Sequence, residues 1–195
     1  MVINARRVRR RIQRSPNLRP RGTKERLLYL AWLAVIAVWV AQPVVMALWL
    51  RWAWVRPLDV GGWAALGAGA VLVLLGQAGT IWCYRAMGSQ WRIGVRPKER
   101  TELVQAGPYA WVRHPIYSFQ MLMLLGVVVL LPTLLSLAAL LLHIIACHIK
   151  ALDEEAYLLG LHQQAYALYR RRTGRFAPWR GGALRQQASG RGASA

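Results

Sequence analysis

Long stretches without a charged residue constrain the fold of this chain more than any other feature of its sequence. The first, Leu27–Leu50, holds 24 residues. As a helix it would measure about 36 Å, against about 30 Å of bilayer hydrocarbon. The second, Val60–Tyr84, is also of spanning length. Two shorter runs, Ile116–Leu131 and Thr133–Ile149, are separated by Pro132 and indicate a tight helical hairpin. The sequence therefore predicts a membrane protein with four crossings.

Basic residues lie in blocks between these runs, and their distribution predicts the orientation of the chain. There are 26 Lys and Arg against 7 Asp and Glu, a net charge of +19. Ten of the basic residues lie in residues 1–26, six in 85–113 and eight from Lys150 onward; only Arg51 and Arg56 lie on the other side. Because loops rich in Lys and Arg stay in the cytoplasm, both termini and the central loop are predicted to be cytoplasmic. The membrane would be the inner or cell membrane if the organism is bacterial.

The same pattern divides the chain into four segments. Residues 1–26 form a basic cytoplasmic arm, which is predicted to contact anionic lipid headgroups. Residues 27–84 form two transmembrane helices, and residues 85–179 form a core of cytoplasmic loop, helical hairpin and C-terminal helix. That last helix is predicted to continue the fourth span and to end near three consecutive arginines, before Gly174. Residues 180–195 have the Gly, Ala, Gln and Ser content of a disordered tail. The predicted fold class is an all-α membrane protein with about four transmembrane helices, the last two a tight hairpin, and a cytoplasmic C-terminal helix.

Three polar motifs flank the predicted hairpin. Gly107–Tyr117 (GPYAWVRHPIY) precedes it, Glu154 and Glu155 follow it, and Tyr166–Trp179 (YALYRRRTGRFAPW) ends the core. Because a hairpin returns the chain to the membrane face where it started, we expect the Arg-His pair of the first motif to face the two carboxylates. Arginine suits bidentate binding of a carboxylate, and paired carboxylates need a cation in so dry a place. Such a site suits a small zwitterion.

Each motif also has a simpler interpretation when it is taken alone. Arg113 at a helix start fits the positive-inside pattern, and the two glutamates can balance basic neighbours. Tyr109 and Tyr117 are typical interface anchors. His143 and Cys147 are one helical turn apart, yet two donors make a poor metal site, so a packed histidine is favoured and no metal is predicted. The occurrence of all three motifs around one hairpin is what favours a functional site.

The three motifs together resemble the isoprenylcysteine carboxyl methyltransferase family. That family belongs to a wider group of membrane methyltransferases that includes the phospholipid N-methyltransferases. The resemblance covers residues 85–179. It implies an S-adenosylmethionine-dependent methyltransferase whose cofactor pocket faces the cytoplasm. One departure is Leu161-His162, where relatives often have Phe-Gly before the tyrosine pair; we interpret it as tolerated surface variation.

The resemblance also implies which residues form the site. The implied catalytic residues are Arg113, Glu155 and Arg175. The residues implied to bind the cofactor are Tyr109, His114, Pro115, Tyr117, Glu154 and Glu155. In this hypothesis a glutamate contacts cationic or hydroxyl groups of the cofactor, while His114 and Tyr117 order the pocket. Arg113 or Arg175 holds a carboxylate, either the cofactor's or the substrate's.

The predicted acceptor is a lipophilic small molecule or a prenylated substrate, and the favoured reaction is carboxyl O-methylation of an isoprenylcysteine-like group. Methylation of a phospholipid or of a small thiol in the same fold is one alternative. A non-catalytic membrane scaffold or carrier is another, although it leaves the facing Arg-His and Glu-Glu pairs unexplained. A protein that tethers nucleic acid would explain only the basic arm, which lacks interleaved aromatic residues, so no nucleic-acid partner is expected.

Overall fold

The computed structural model of the chain describes residues 22–47, 62–88 and 103–178. These residues form four α-helices: α1 Thr23–Ala47, α2 Trp63–Met87, α3 Pro115–Leu130 and α4 Leu134–Arg172. A 3₁₀ turn, Gly107–Ala110, lies between α2 and α3. The described part of the chain contains no β-strand, apart from one isolated bridge between Val112 and Gly174. The predicted all-α class is confirmed.

Three of the four helices are long and apolar enough to cross a bilayer: α1, α2 and α4. The remaining helix, α3, is apolar but has only 16 residues, about 24 Å of helix. These lengths support an integral membrane protein. The count of four crossings and the cytoplasmic orientation of the termini remain predictions.

The turn between α3 and α4 is as short as Pro132 predicts. Only three residues separate the last residue of α3 from the first of α4. Thr133 caps the N-terminus of α4, since its Oγ1 accepts a hydrogen bond of 3.0 Å from the Ser136 amide. Gln42 of α1 donates to the hydroxyls of Thr133 and Ser136 at 2.8 and 2.9 Å. A buried polar cluster therefore ties α1 to the hairpin turn.

The last helix runs on from its apolar half, as predicted, and ends at Arg172, two residues before Gly174. Its first charged residue is Lys150. One feature was not predicted: at Gln163 the backbone leaves the helical region, with φ 42° and ψ −112°. The chain resumes a helical path for the remaining residues of α4.

Contacts divide the described residues into two compact units. The polar unit comprises the described residues of 81–118 and 151–178; the apolar unit comprises the described residues of 22–80 and 119–150. Most of the predicted basic arm and the whole predicted disordered tail lie outside the described residues. So do Arg51 and Arg56, on which the predicted orientation partly depends.

Glycines allow the helices of the apolar unit to approach closely. A Cβ built on Gly76 of α2 would lie 2.6 Å from the Phe119 carbonyl oxygen of α3. A Cβ on Gly126 would lie 2.8 Å from the Gly69 carbonyl oxygen. The helix backbones therefore touch where small residues face each other. Such close contact is typical of helices in a bilayer, where the hydrophobic effect does not drive helices together and van der Waals packing does. Val35, Leu124 and Leu140 form the buried apolar cluster of this unit.

Candidate functional site

Two segments of the polar unit that are about 60 residues apart in sequence are hydrogen-bonded side by side. The Arg113 amide donates to the Gly174 carbonyl at 2.9 Å, and the His114 amide donates to the Arg175 carbonyl at 3.1 Å. The Gly174 amide completes the ladder by donating to the Trp111 carbonyl. Pro115 follows at once as the first residue of α3 and is fully buried, a position where a missing N–H costs nothing. The first and third sequence motifs are thus fixed against each other through the backbone.

The Glu155 carboxylate lies between two arginines brought together by this ladder. Arg175 binds it bidentately: its Nε lies 2.9 Å from Oε1 and its Nη2 lies 3.1 Å from Oε2. The Arg113 Nε donates to the same Oε1 at 3.1 Å. The Glu155 side chain is only 4% exposed. A buried carboxylate of this kind persists only because both cations and their N–H groups compensate it.

Arg113 has a second set of contacts, at the C-terminal end of α4. Its Nη1 donates to the Arg170 carbonyl at 3.1 Å and also to the Thr173 carbonyl. These carbonyls have no partner within the helix, and a guanidinium both satisfies them and complements the helix dipole. The Arg113 side chain is 9% exposed, whereas that of Arg175 is 26% exposed. Of the two arginines, Arg175 is the one that solvent or a ligand can reach.

Glu154 is held by the other half of the first motif. Its Oε1 accepts a 2.9 Å hydrogen bond from the Tyr117 hydroxyl. Its Oε2 lies 3.5 Å from Nδ1 of His114, whose ring stacks on that of Tyr117 at a centroid distance of 5.6 Å. Glu154 is 25% exposed. It is therefore the more accessible carboxylate of the pair.

The charges in this cluster shift the pKa values of two of its members. Burial lowers the pKa of His114, but contacts with Glu154 and Glu155 outweigh that effect, so the pKa is raised above its ordinary value. Burial raises the pKa of Glu155, yet His114 and the two arginines hold it well below its usual range. With His114 protonated, three cations face two carboxylates. The site then carries one net positive charge and favours a ligand with an anionic group.

Three tyrosines of the polar unit lie near the cluster of arginines and glutamates. The Tyr169 hydroxyl donates to the Tyr109 carbonyl at 2.7 Å. The Tyr166 ring lies 5.9 Å from that of Tyr169 between centroids. Within the described structure, the buried hydroxyls of Tyr109 and Tyr166 have no hydrogen-bond partner, and neither has the Nε2 atom of His114. That Nε2 lies 3.4 Å from the Oε1 atom of Glu155 but off the direction of a hydrogen bond.

The structure places every residue that the sequence predicted for the site in the polar unit. Direct contacts join six of them: Arg113, His114, Tyr117, Glu154, Glu155 and Arg175. Pro115 is buried at the start of α3, and Tyr109 is linked to the site through Tyr169. Sequence reasoning assigned no role to Tyr166 or Thr173. One sequence signal could have indicated Tyr166: it lies three residues before Tyr169 on the same helix, directly ahead of the arginines.

The departure from the family pattern lies next to the break in α4. Leu161 and His162 are both half-buried, and the break at Gln163 follows immediately. A φ of 42° with this ψ is a conformation that glycine adopts freely and other residues avoid. The chain therefore keeps an unusual backbone turn here without a glycine.

The chain is similar to known proteins in sequence and in fold. Residues 69–160 match the sequence model of the isoprenylcysteine carboxyl methyltransferase (ICMT) family. Over 130 residues the chain is 30% identical to the cobalt-zinc-cadmium resistance protein CzcN of Cupriavidus metallidurans. The alignment covers 66% of this chain and 54% of that protein. The fold is similar to that of a eukaryotic intramembrane Ras methyltransferase, ICMT, with a TM-score of 0.58 and 22% identity over 75% of this chain and 51% of that one.

The chain spans about half the length of both of these proteins. The matched region contains the first motif, the hairpin and the glutamate pair, and it ends before the tyrosines and Arg175. Residues 69–160 are therefore similar to the isoprenylcysteine carboxyl methyltransferase family, in agreement with the resemblance of the sequence motifs.

Proposed function

We propose that this protein is an S-adenosylmethionine-dependent methyltransferase that acts on a lipophilic acceptor at the membrane. The observation that carries the proposal is the cluster in which Arg113 and His114 face Glu154, Glu155 and Arg175. A scaffold or carrier has no need for two carboxylates, two arginines and a histidine bound to one another at a single place. The family match supports the same class of reaction.

The residues present fit this cofactor. S-adenosylmethionine carries a carboxylate, an ammonium group and a sulfonium, and the site offers both signs of charge on side chains that remain partly exposed, Glu154 and Arg175. The buried Nε2 atom of His114 lies 3.4 Å from the Oε1 atom of Glu155 but makes no hydrogen bond in the described structure, so a polar group of a ligand or a water can complete its hydrogen bonding. When bound, the cofactor supplies a methyl group on a sulfonium, ready for in-line displacement.

The contacts divide the site residues into two groups. Glu155 and Arg113 are the more buried and are committed to each other and to the end of α4, so we assign them the role of holding the site together. Glu154 and Arg175 are the accessible pair. In this proposal Glu154 meets a cationic or hydroxyl group of the cofactor, and Arg175 binds a carboxylate.

We favour carboxyl O-methylation of an isoprenylcysteine-like group as the reaction. A carboxylate is already a nucleophile, so the residues need only orient it and exclude water, and removal of its hydration shell raises its reactivity. This scheme requires no strong base, because the carboxylate acceptor is already ionised. Phospholipid amines and small thiols remain the alternative acceptors.

The proposal is tested with purified protein in lipid vesicles and S-adenosylmethionine labelled on its methyl group. Three acceptors are offered in parallel: an S-farnesylcysteine, a phosphatidylethanolamine and a small thiol. A methyl ester releases volatile labelled methanol in alkali, whereas N-methyl and S-methyl products do not. We expect alkali-labile label in the S-farnesylcysteine reaction. Stable label in lipid or thiol would identify an alternative acceptor, and no label in any acceptor would contradict the proposed activity.

The name of the bacterial relative refers to resistance to cobalt, zinc and cadmium. No three His, Cys, Asp or Glu side chains in the described ranges are grouped so that they could hold a metal ion. His143 and Cys147 are in contact at 3.4 Å, as a packed pair.

A further inference from the structure

The polar unit contains two tyrosine hydroxyls whose position is hard to explain by folding alone. Tyr166 is 1% exposed and Tyr109 is 7% exposed. Neither hydroxyl has a hydrogen-bond partner in the described structure. Tyr169, which packs against Tyr166, is different because its hydroxyl donates to the Tyr109 carbonyl at 2.7 Å. One member of the group is thus satisfied through the protein, and two are not.

Unpartnered buried hydroxyls reduce the stability of a folded protein, because the group has given up water and gained nothing in return. Phenylalanine would fill the same volume in either position without this cost. Both hydroxyls are also shielded from bulk water, so only a group that enters the protein next to them can pair with them. The arrangement therefore has the character of a binding site that is complete only when a ligand is present.

The charge surroundings indicate what kind of group that is. Burial is the main cause that raises the pKa of Tyr109 and of Tyr166; Glu154 adds a smaller rise at Tyr109, and Glu155 adds one at Tyr166 that Arg113 partly opposes. Both phenols therefore stay neutral and keep their protons at physiological pH. The arginines and glutamates of the site suit the charged groups of a ligand. The neutral tyrosine hydroxyls suit its uncharged polar atoms. An apolar acceptor has few uncharged polar atoms, whereas the nucleoside part of the cofactor has many.

We propose that the hydroxyls of Tyr166 and Tyr109 bind the uncharged polar atoms of the nucleoside cofactor, with Tyr169 as the structural member of the group. This inference rests on the proposed function and adds a binding residue, Tyr166, that the family match does not cover, since the matched region ends at residue 160. The bound ligand supplies the hydrogen bonds that these hydroxyls lack. The two unpaired hydroxyls therefore lower the stability of the ligand-free protein and raise its affinity for the ligand.

Three single variants test this proposal: Tyr166→Phe, Tyr109→Phe and, as the matched control, Tyr169→Phe. Each removes one hydroxyl and leaves the ring. Two quantities are measured in detergent for each full-length protein: the melting temperature without ligand, and the affinity for S-adenosylhomocysteine by titration calorimetry. This probe keeps the nucleoside and amino-acid parts of the cofactor and cannot react.

The expected results are opposite for the two kinds of tyrosine. Tyr166→Phe and Tyr109→Phe should keep or raise the melting temperature without ligand, yet weaken affinity by about fivefold to thirtyfold each. Tyr169→Phe should lower the melting temperature, because it removes the bond to the Tyr109 carbonyl, and should weaken affinity less than the other two.

Three results would overturn the inference. Unchanged affinity in both Tyr166→Phe and Tyr109→Phe would show that the hydroxyls contact no part of the cofactor. A lower melting temperature without ligand in those variants would show that the hydroxyls have a structural partner, such as a bound water. A wild-type protein that does not bind the probe at all would overturn this inference together with the proposed function, whereas the first two results leave the proposed function intact.

Discussion

At the scale of single residues, Glu155 is the side chain on which the candidate site most depends. It accepts hydrogen bonds from Arg113 and Arg175, and those two arginines hold the end of α4 and the following segment. Removing one partner of a buried ion pair leaves an uncompensated charge, which is far more costly than the net value of the pair. The site is therefore cooperative: a change at one residue should be felt by the others.

Glu155→Gln is expected to destabilise the protein by about 3 kcal/mol, because two arginines lose their shared carboxylate. The measurement is the melting temperature of the purified protein in detergent. Asp153→Asn is the matched control, since it removes one negative charge from an exposed side chain of the same helix. Equal effects of the two substitutions would show that the ion pairs around Glu155 add nothing beyond overall charge.

The pH dependence of stability should follow His114 and Glu155. The pKa of His114 is raised above 6.5, so its ion pairs contribute fully below that pH and are lost as the pH rises through the raised value. The pKa of Glu155 is held below 4.5, so its contribution is complete above that pH and is lost as the pH falls. The free energy of unfolding is expected to be highest between pH 4.5 and 6.5, the ordinary pKa values of the two groups, and to decline toward higher pH.

Melting temperatures across the range of about pH 5 to 9 measure this pH dependence. His114→Gln should flatten the alkaline decline, and a variant that declines as steeply as wild type would refute the assignment.

At the scale of elements, the break at Gln163 is the feature of α4 that no sequence signal predicts. The conformation is one that glycine adopts without cost, and a glutamine there is held by its surroundings at a cost of about 1–3 kcal/mol. The neighbouring His162 has a buried Nε2 atom without a hydrogen-bond partner among the described residues. Both observations indicate that the turn is kept despite its energetic cost.

Gln163→Gly should raise the stability of the protein by about 1 kcal/mol, because it removes the backbone strain without changing the path of the chain. Gln163→Ala is the control, because it shortens the side chain but still has a Cβ. The comparison is made by melting temperature in detergent. If alanine stabilises as much as glycine, the gain comes from the side chain and the strain at this residue is not relieved.

The contact between α2 and α3 gives a second prediction at this scale. Gly126→Ala would place a Cβ 2.8 Å from the Gly69 carbonyl oxygen and from the Val73 amide nitrogen. The helices would have to separate, at a cost of about 1–3 kcal/mol. Gly67→Ala on α2 is the matched control because a Cβ there meets nothing within 4 Å, and it should be neutral or slightly stabilising. Equal melting temperatures for the two variants would show that the close approach is not needed.

At the scale of the whole molecule, sequence alone predicts those features that depend on local composition. The uncharged runs predict the apolar helices, Pro132 predicts the turn between α3 and α4, and Gly174 predicts the end of α4. The direct contact between Arg113 and Glu155 follows from one topological argument, that a hairpin returns the chain to its starting face. The backbone ladder between residues 111–114 and 174–175 could not be predicted, because pairing of two short irregular segments leaves no periodic pattern in a sequence.

The division of roles within the site was also beyond sequence reasoning. Arg113 and Arg175 are equivalent as residue types, and only their exposure and their partners distinguish a buried arginine that caps a helix from one that a ligand can reach. The same holds for Tyr166 and Tyr169, which differ in the partners of their hydroxyls. Tertiary contacts, rather than residue identity, decide these roles.

The central claim is that this cluster of arginines, glutamates and histidine serves methyl transfer at the membrane. Its most direct test is the rate of labelled methyl transfer from S-adenosylmethionine to a lipophilic acceptor by purified protein, compared between wild type and Arg175→Met. Because Arg175→Met also removes two hydrogen bonds from the buried Glu155 carboxylate, the melting temperature of the variant is measured first, and the rates are compared at a temperature where both proteins are folded. We predict transfer by wild type and a loss of about 100-fold or more in the variant. Wild-type protein that is folded and transfers no label to any acceptor, or a variant as active as wild type, would contradict the account.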